Sequence, residues 1–314
     1  GAVMTTVWIT GGKGFIGRNL AKFIAKQNTK VYGIGHGFWT DDDYRAWGFS
    51  HWLNAEIDFA GMSQLVADFG KPDVVFHLAG GSAVGPSIQN PYEDFQRTVD
   101  TTARLLEWVR QNSPASRVIG VSSAAVYGSA FNGPISEGDN GKPFSPYGFH
   151  KWMLESLFSS YRDSFGLDVT VTRFFSVYGP GLEKQLLWDI CQKIEKSKST
   201  DITLNGTGNE IRDWLHISDA TQLLWLLVHK SSNEFTVVNG GTGIGTSIAE
   251  IASMVCEQWG QNHKVKFNGI SRKGDPKSLV GDISLANELG FSPRISLQQG
   301  ISEVVAWYKA RKLT

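Results

Sequence analysis

Short apolar runs alternate along the first half of the chain with longer segments whose apolar residues recur at helical spacing. "TTVWIT" (5–10) is rich in β-branched and aromatic residues, as strands are. The segment after Gly14 places Phe15, Leu20, Phe23 and Ile24 on one helix face. "KVYGIG" (30–35), "DVVFHLAG" (73–80) and "RVIGVSS" (117–123) read as further strands, and "DVTVTRFFSV" (168–177) follows a strongly helical stretch. Strands separated by helices predict an α/β fold with a doubly wound parallel sheet. Later the pattern loosens. "NGTGNEIRDWLHISDA" (205–220) is polar and turn-rich ahead of a helix, and "FTVVNGG" (235–241) reads as one more strand. The expected organisation is a dinucleotide-binding domain over 4–174 and 211–241, with a smaller C-terminal substrate lobe over 175–210 and 242–314. The chain would then cross between lobes more than once. No internal repeat or low-complexity linker interrupts it.

Composition narrows the class without naming it. The 314 residues are 41% hydrophobic and 19% charged, as in ordinary globular proteins. Thirty basic residues balance thirty acidic ones, so nothing recommends nucleic acid or an anionic membrane as partner. Cys191 and Cys256 are isolated and read as small buried hydrophobes, not as a zinc site or disulfide. The seven histidines are scattered with no paired ligand spacing, so no metal site is expected. His77 reads as a packed strand residue. No run is apolar for the length of a bilayer span, and no signal-peptide order is present, so a cytoplasmic location is expected. Gly1 to Val3, ahead of Met4, read as an expression remnant.

The alternation makes the Rossmann arrangement the leading candidate, and the turn after the first strand agrees. "TGGKGFIGRNL" (10–20) spaces Gly11, Gly14 and Gly17 by three between strand and helix. Gly11 suits the tight turn, Gly14 lets backbone N–H groups reach a pyrophosphate, and Gly17 lets the helix pack on the strand. The positive end of the helix then faces the phosphates. A site for NAD usually places an acid at the end of the second strand, on the ribose hydroxyls. Here that point reads Gly35-His36-Gly37. Lys13 and Arg18 flank the turn and offer cations for a 2′-phosphate, though Lys13 also fits a solvated loop. The expected cofactor is NADP, with NAD as the alternative. Glu56 either accepts from the adenine amino group or is a structural surface acid.

"SPYGFHKWMLE" (145–155) holds Tyr147 and Lys151 four apart within a helical pattern, on one face. A lysine ammonium beside a phenol is expected to favour the phenolate and lower its pKa. Such a tyrosine serves as general acid or base at an alcohol or ketone. Upstream, "GVSSAAVYG" (120–128) ends a strand with Ser122 and Ser123, where a doubly wound sheet presents side chains to its ligand. His150 lies on a different helix face and reads as structural or substrate-lining.

Taken together these motifs resemble the extended short-chain dehydrogenase/reductase family, in its nucleotide-sugar branch. "TGGKGFIG", "DVVFHLAG", "SSAAVYG" and "YGFHK" are similar to the family's turn, fourth strand and catalytic motifs. "AVGPSIQNP" (83–91) is similar to the matching segment of UDP-galactose 4-epimerases. "RFFSVYGPG" (173–181), "EIRDWLHISDA" (210–220) and "RKGDPKSLVGDISLANELGFSP" (272–293) resemble substrate-lobe motifs. The resemblance implies Ser123, Tyr147 and Lys151 as catalytic residues, with Lys151 also holding the nicotinamide ribose. It implies Phe15, Ile16, Ile57, Leu78, Ala79, Gly80 and Val121 along the cofactor, with Val177 offering its backbone to the nicotinamide amide. It puts Val84, Ser122, Ser176 and Asp275 on the substrate, and Arg212 and Arg272 on the nucleotide diphosphate, where guanidinium forks suit the ligand. A homodimer built on the helices near 91–111 and 146–165 is a further expectation.

The departures carry information too. Family dehydratases have an Asp-Glu pair after the catalytic Ser/Thr, where this chain has Ala124 and Ala125, so dehydration is not expected. Ser176 and Thr98 stand where many members have Asn. The absent strand-end acid departs from epimerases that keep NAD bound. Two reactions at C4 of a nucleotide-activated sugar remain. Reduction of a 4-keto or 4-keto-6-deoxy sugar by NADPH is placed first, and NAD-dependent 4-epimerisation on the same three residues is its alternative.

Overall fold

The computed structural model describes residues 4–311. Gly1 to Val3 lie outside that range, as do the last three residues. Seven strands form the main sheet: β1 (Thr5–Thr10), β2 (Thr29–Gly35), β3 (His51–Asn54), β4 (Val74–His77), β5 (Arg117–Ser123), β6 (Val169–Phe174) and β7 (Val237–Gly240). All neighbouring pairs are parallel, in the order 3-2-1-4-5-6-7. Helices cover both faces, so the central strands are buried on both sides. Val7, Trp8 and Ile9 of β1 are wholly buried, as a parallel strand inside two layers must be.

One face packs on Leu20, Ala21 and Ile24 of the helix Phe15–Ile24 and on Leu223, Leu224 and Leu227 of the helix Ile217–Leu227. The other packs on Leu105, Leu106, Trp108, Leu154 and Phe158. Trp8 and Trp108 meet there with ring centroids 5.2 Å apart. Strand β3, "HWLN", has too few apolar residues to announce itself in the pattern, and it takes the sheet edge.

The C-terminal lobe is assembled from short pieces. Strand Ile211–His216 pairs with Gly245–Ser247, with Ser278–Gly281 and, through its last three residues, with Ser176–Tyr178. Asp201–Leu204 pairs with Lys264–Phe267 apart from it. The lobe's own core joins Tyr178, Leu187, Ile190, Ile251, Val255, Ile301, Val304 and Tyr308. Buried Asp213 ties the lobe's turns by accepting from the N–H groups of Thr242, Gly243 and Gly281. Among the described residues, no helix is long and apolar enough to cross a membrane.

The order in which strands are added to the sheet reverses between β1 and β4. Loops leaving their C-terminal ends diverge at such a point and open a crevice. The site occupies that crevice, with the lobe as its far wall.

Candidate active site

A cleft of about 810 Å³ runs from the glycine turn past the ends of β4 and β5 to the lobe. Two glycines shape its start. Gly11 has φ +66°, and a Cβ on it would lie 2.8 Å from the Ala79 backbone nitrogen. A Cβ on Gly17 would lie 2.6 Å from the Gly11 carbonyl oxygen. Neither position tolerates a side chain, so the turn closes tightly and the helix docks on it. That helix begins at Gly14 with no side-chain cap, leaving its first N–H groups facing the cleft mouth. This cradle fits a dinucleotide pyrophosphate.

The second wall is the helix Pro146–Phe165, whose local signals are strong. Ser145 caps it through Gly148 N–H, Pro146 takes the first position, and Gly166 ends it with left-handed backbone, φ +69°. Tyr147 and Lys151 therefore project from its first turns into the cleft. The Tyr147 N–H donates to Ser87 Oγ at 3.0 Å, which satisfies one orphan donor of the helix start. Ser123 ends β5, accepts from Ala125 N–H at 3.1 Å, and hydrogen-bonds the Tyr147 side chain.

The electrostatics of this pair correct one expectation. Lys151 Nζ lies 5.8 Å from the Tyr147 ring centroid and donates to Val121 O at 3.2 Å. Tyr147 keeps part of its surface open to the cleft, but burial pushes its pKa above the ordinary phenol value, and the Ser123 hydrogen bond only partly offsets this. The lysine does not depress it in this arrangement. Lys151 itself is 4% exposed, and burial lowers its pKa to about 8, with Asp94 and then Glu155 pulling the other way.

Behind the reacting groups lies a dense polar layer. Ser122 Oγ donates to Glu155 Oε2 at 2.6 Å, and Arg173 forks onto both Glu155 oxygens. Arg173 also donates to the Tyr127 hydroxyl, which donates to Asn239 Oδ1. Ser122 and Ser123 both line the cleft, but the Ser122 hydroxyl proton is committed to Glu155, which leaves Ser123 to donate to a ligand there. His77 is wholly buried, as a packed strand residue should be. It meets Thr10 Oγ1 through Nδ1 at 2.7 Å and Thr102 Oγ1 through Nε2 at 2.9 Å. Thr10 Oγ1 in turn accepts from Leu78 and Ala79 N–H, so the loop after β4 hangs on this relay. Burial, then Lys151, lower the His77 pKa to about 3.

Of the residues predicted for cofactor and substrate, all but Arg18 and Arg272 line the cleft. Arg272 is exposed, with Nη2 3.6 Å from where a Cβ on Gly85 would stand, beyond the cleft lining. Arg212 lines it and donates to Ile211 O, while burial lowers its pKa against the pull of Asp275 and Glu210. His36 and Glu56 stand 3.5 Å apart just beyond the end of β2, both largely exposed. Lys13 Nζ donates to Phe38 O at 3.0 Å there. Arg18 does not join them. It donates to Gly181 O at 2.7 Å and lies over Phe15 and Trp47, which withdraws it as a phosphate ligand. Sequence reasoning missed Lys184 and Gln185, which line the cleft beside the lobe helix. Gln185 has φ +72°, strained for a residue with a Cβ, and no sequence signal announces it.

A family model described as GDP-mannose 4,6 dehydratase matches residues 8–304. The chain belongs to that family. This extended short-chain dehydrogenase/reductase, with its nicotinamide-cofactor fold, sits among enzymes of nucleotide sugars. A Methanocaldococcus jannaschii protein, provisionally described as a UDP-glucose 4-epimerase, is 29% identical over 98% of this chain and 100% of its own. A solved structure of MoeE5 with UDP-glucose and NAD shares 30% identity and a TM-score of 0.85, over 98% of this chain and 100% of that one. The Bacillus cereus UDP-glucuronic acid 4-epimerase, solved with UDP-glucuronic acid and NAD, shares 26% identity over 98% and 100%, with a TM-score of 0.86.

Proposed function

We propose that this family member is a nucleotide-sugar 4-epimerase working through Ser123, Tyr147 and Lys151. That order reverses the one drawn from the sequence, where reduction stood first. The observation that carries it is the Ser123–Tyr147 hydrogen bond at the end of β5 with Lys151 one turn on and no acid in the two positions that follow Ser123. Ala124 and Ala125 occupy the next positions along that wall. A tyrosine-centred site with alanines in place of that acid pair suits proton transfer at a carbinol and leaves water elimination without the pair it uses in the family's dehydratases. Two relatives of matching length are 4-epimerases by description, which supports the same choice, although another, from Actinoplanes, is described as a dTDP-glucose 4,6-dehydratase.

A bound nicotinamide supplies a hydride acceptor and donor at the sugar C4. Tyr147 takes the C4 hydroxyl proton as the carbonyl forms and returns a proton when the opposite face is reduced. Ser123 Oγ holds the same oxygen. Lys151 holds the ribose and places positive charge near the developing phenolate, the state in which the phenol's raised pKa is overcome. Arg212 and Lys184 hold the diphosphate against the lobe, and Ser176 and Val84 border the sugar. Residues 175–210 and 242–314 supply most of this lobe, and Ile211–His216, expected in the dinucleotide-binding domain, joins its sheet.

A second reading, 4-keto sugar reduction with NADPH, is favoured by His36 and Lys13 where NAD sites carry an acid. Purified protein given UDP-glucose, UDP-galactose or UDP-glucuronic acid and NAD⁺ should interconvert C4 epimers with no reductant. If it does not, and it oxidises NADPH with a 4-keto-6-deoxy sugar nucleotide, the second reading replaces the first. The active form is proposed to be a homodimer. Tyr92, Trp152 and Met153 stay exposed on adjoining helices, at 71%, 53% and 41%, and light scattering should return twice the chain mass.

A further inference from the structure

Beneath the catalytic helix sits a carboxylate that the reaction scheme above does not use. Asp94, on the short helix Pro91–Phe95, is 6% exposed. Its Oδ2 lies 2.5 Å from His150 Nδ1, and His150 directly precedes Lys151. Its Oδ1 packs on the loop after β4: a Cβ on Gly81 would fall 1.8 Å from it. A Cβ on the adjacent Gly80 would fall 3.2 Å from Lys151 Nζ. The two-glycine backbone is therefore sandwiched, with the Lys151 ammonium against one residue and the Asp94 carboxylate against the next. The loop is pinned there, since Gly81 N–H donates to Thr98 Oγ1 at 2.8 Å in a π-helical turn. An ionised Asp94 requires His150 to carry its proton on Nδ1, so the imidazole locks the carboxylate in one orientation.

We propose that Asp94, clamped by His150, is a positioning residue that holds a negative charge beneath Lys151 and keeps its ammonium protonated in the working enzyme. The inference rests on the reading of Tyr147 and Lys151 as the reacting pair. The groups facing Lys151 single out Asp94. Glu155 also faces it, but Arg173 forks onto Glu155 and largely cancels its charge. His77 is neutral near physiological pH and, when charged, would oppose the ammonium. Tyr147 is uncharged at rest. Burial is the largest influence on Lys151, and Asp94 does the most to counter it. His150 is part of the clamp, so losing it loosens the carboxylate without removing its charge.

The test titrates Lys151 directly, in protein carrying ¹³C at lysine Cε, its signal assigned with Lys151→Arg. Asp94→Asn keeps an oxygen for His150 and removes the charge. Its Lys151 midpoint should fall by about one pH unit relative to the wild type, as expected for losing a nearby opposite charge. With UDP-glucose as substrate, the alkaline limb of kcat should move down by the same amount while KM holds. His150→Ser should shift both in the same direction by less, and it decides the matter if Asp94→Asn does not fold. Coincident titrations for wild type and variants overturn the proposal. If instead Tyr147→Phe turns over normally, the reading of the reacting pair fails, whatever Asp94 does to the lysine.

Discussion

The two ends of the cleft are built differently. At the proposed sugar end, each group assigned to the reaction is tied down: Ser123 to Tyr147 and Ala125, Lys151 to Val121, and the layer beneath through Glu155, Arg173, Tyr127 and Asn239. At the proposed adenosine end, His36 and Glu56 are 74% and 62% exposed, Phe38 is 77% exposed, and Lys13 holds a single carbonyl. Chemistry needs fixed geometry, because proton transfer fails when donor and acceptor drift apart. Cofactor choice needs only one or two groups at a solvated rim. The sugar end should therefore break sharply on substitution, and the adenosine end should drift.

The largest expected effect is at Tyr147. Tyr147→Phe should lower kcat about 100- to 10,000-fold, the usual worth of a general acid–base group. Calorimetry should show NAD⁺ binding nearly unchanged. Equal losses in binding and turnover would mean that the ring is structural. Next comes Arg173→Met, which leaves Glu155 buried without its partner. It should destabilise the protein by about 3–5 kcal/mol in urea unfolding, whereas removing an adenosine-end charge should leave stability unchanged.

At that adenosine end, His36→Asp restores an acid to the end of β2. It should improve NAD⁺ over NADP⁺ by about tenfold in dissociation constant, the worth of one charge-assisted hydrogen bond. No change in the ratio would remove His36 from the ribose site. Lys13→Ala should weaken NADP⁺ binding only about threefold, and salt should erase the difference.

Acidity sharpens the contrast further. Lys151 titrates near 8 in the folded state, below its unfolded value of 10.5. Between those values the unfolded chain binds more protons at this residue, so its contribution to stability rises with pH while activity falls. His77, with a folded pKa of about 3 against 6.5 unfolded, acts in acid: its contribution to stability is lost as pH falls from 6.5 towards 3. Scanning calorimetry beside a pH–rate profile checks both signs.

Much of the sugar end was legible from residues alone. The Ser-Pro start and Gly end of the helix at 146–165, the paired serines closing β5 and the glycine turn each carry a local rule that the fold obeys. The cradle at Gly11 and Gly17 followed for the same reason. What could not be read depended on neighbours far along the chain. The direction of the Ser122 hydroxyl depends on Glu155, 33 residues on. The phenol's raised pKa depends on how completely the lobe and helices cover it. Arg18 was misassigned because Gly181, 163 residues away, captures its guanidinium. Strand β3 was faint because an edge strand buries little. The lobe's short strands borrow partners from three separate stretches, so no local periodicity marks them.

The account's central claim is that hydride leaves and returns at C4 of the sugar under the control of Tyr147. UDP-glucose deuterated at C4, turned over in ordinary water with NAD⁺, tests it most directly. The account predicts the C4 epimer as product with deuterium retained at C4, and no product from Tyr147→Phe. Epimer whose deuterium has washed out to solvent, or a dehydrated 6-deoxy product, would contradict it.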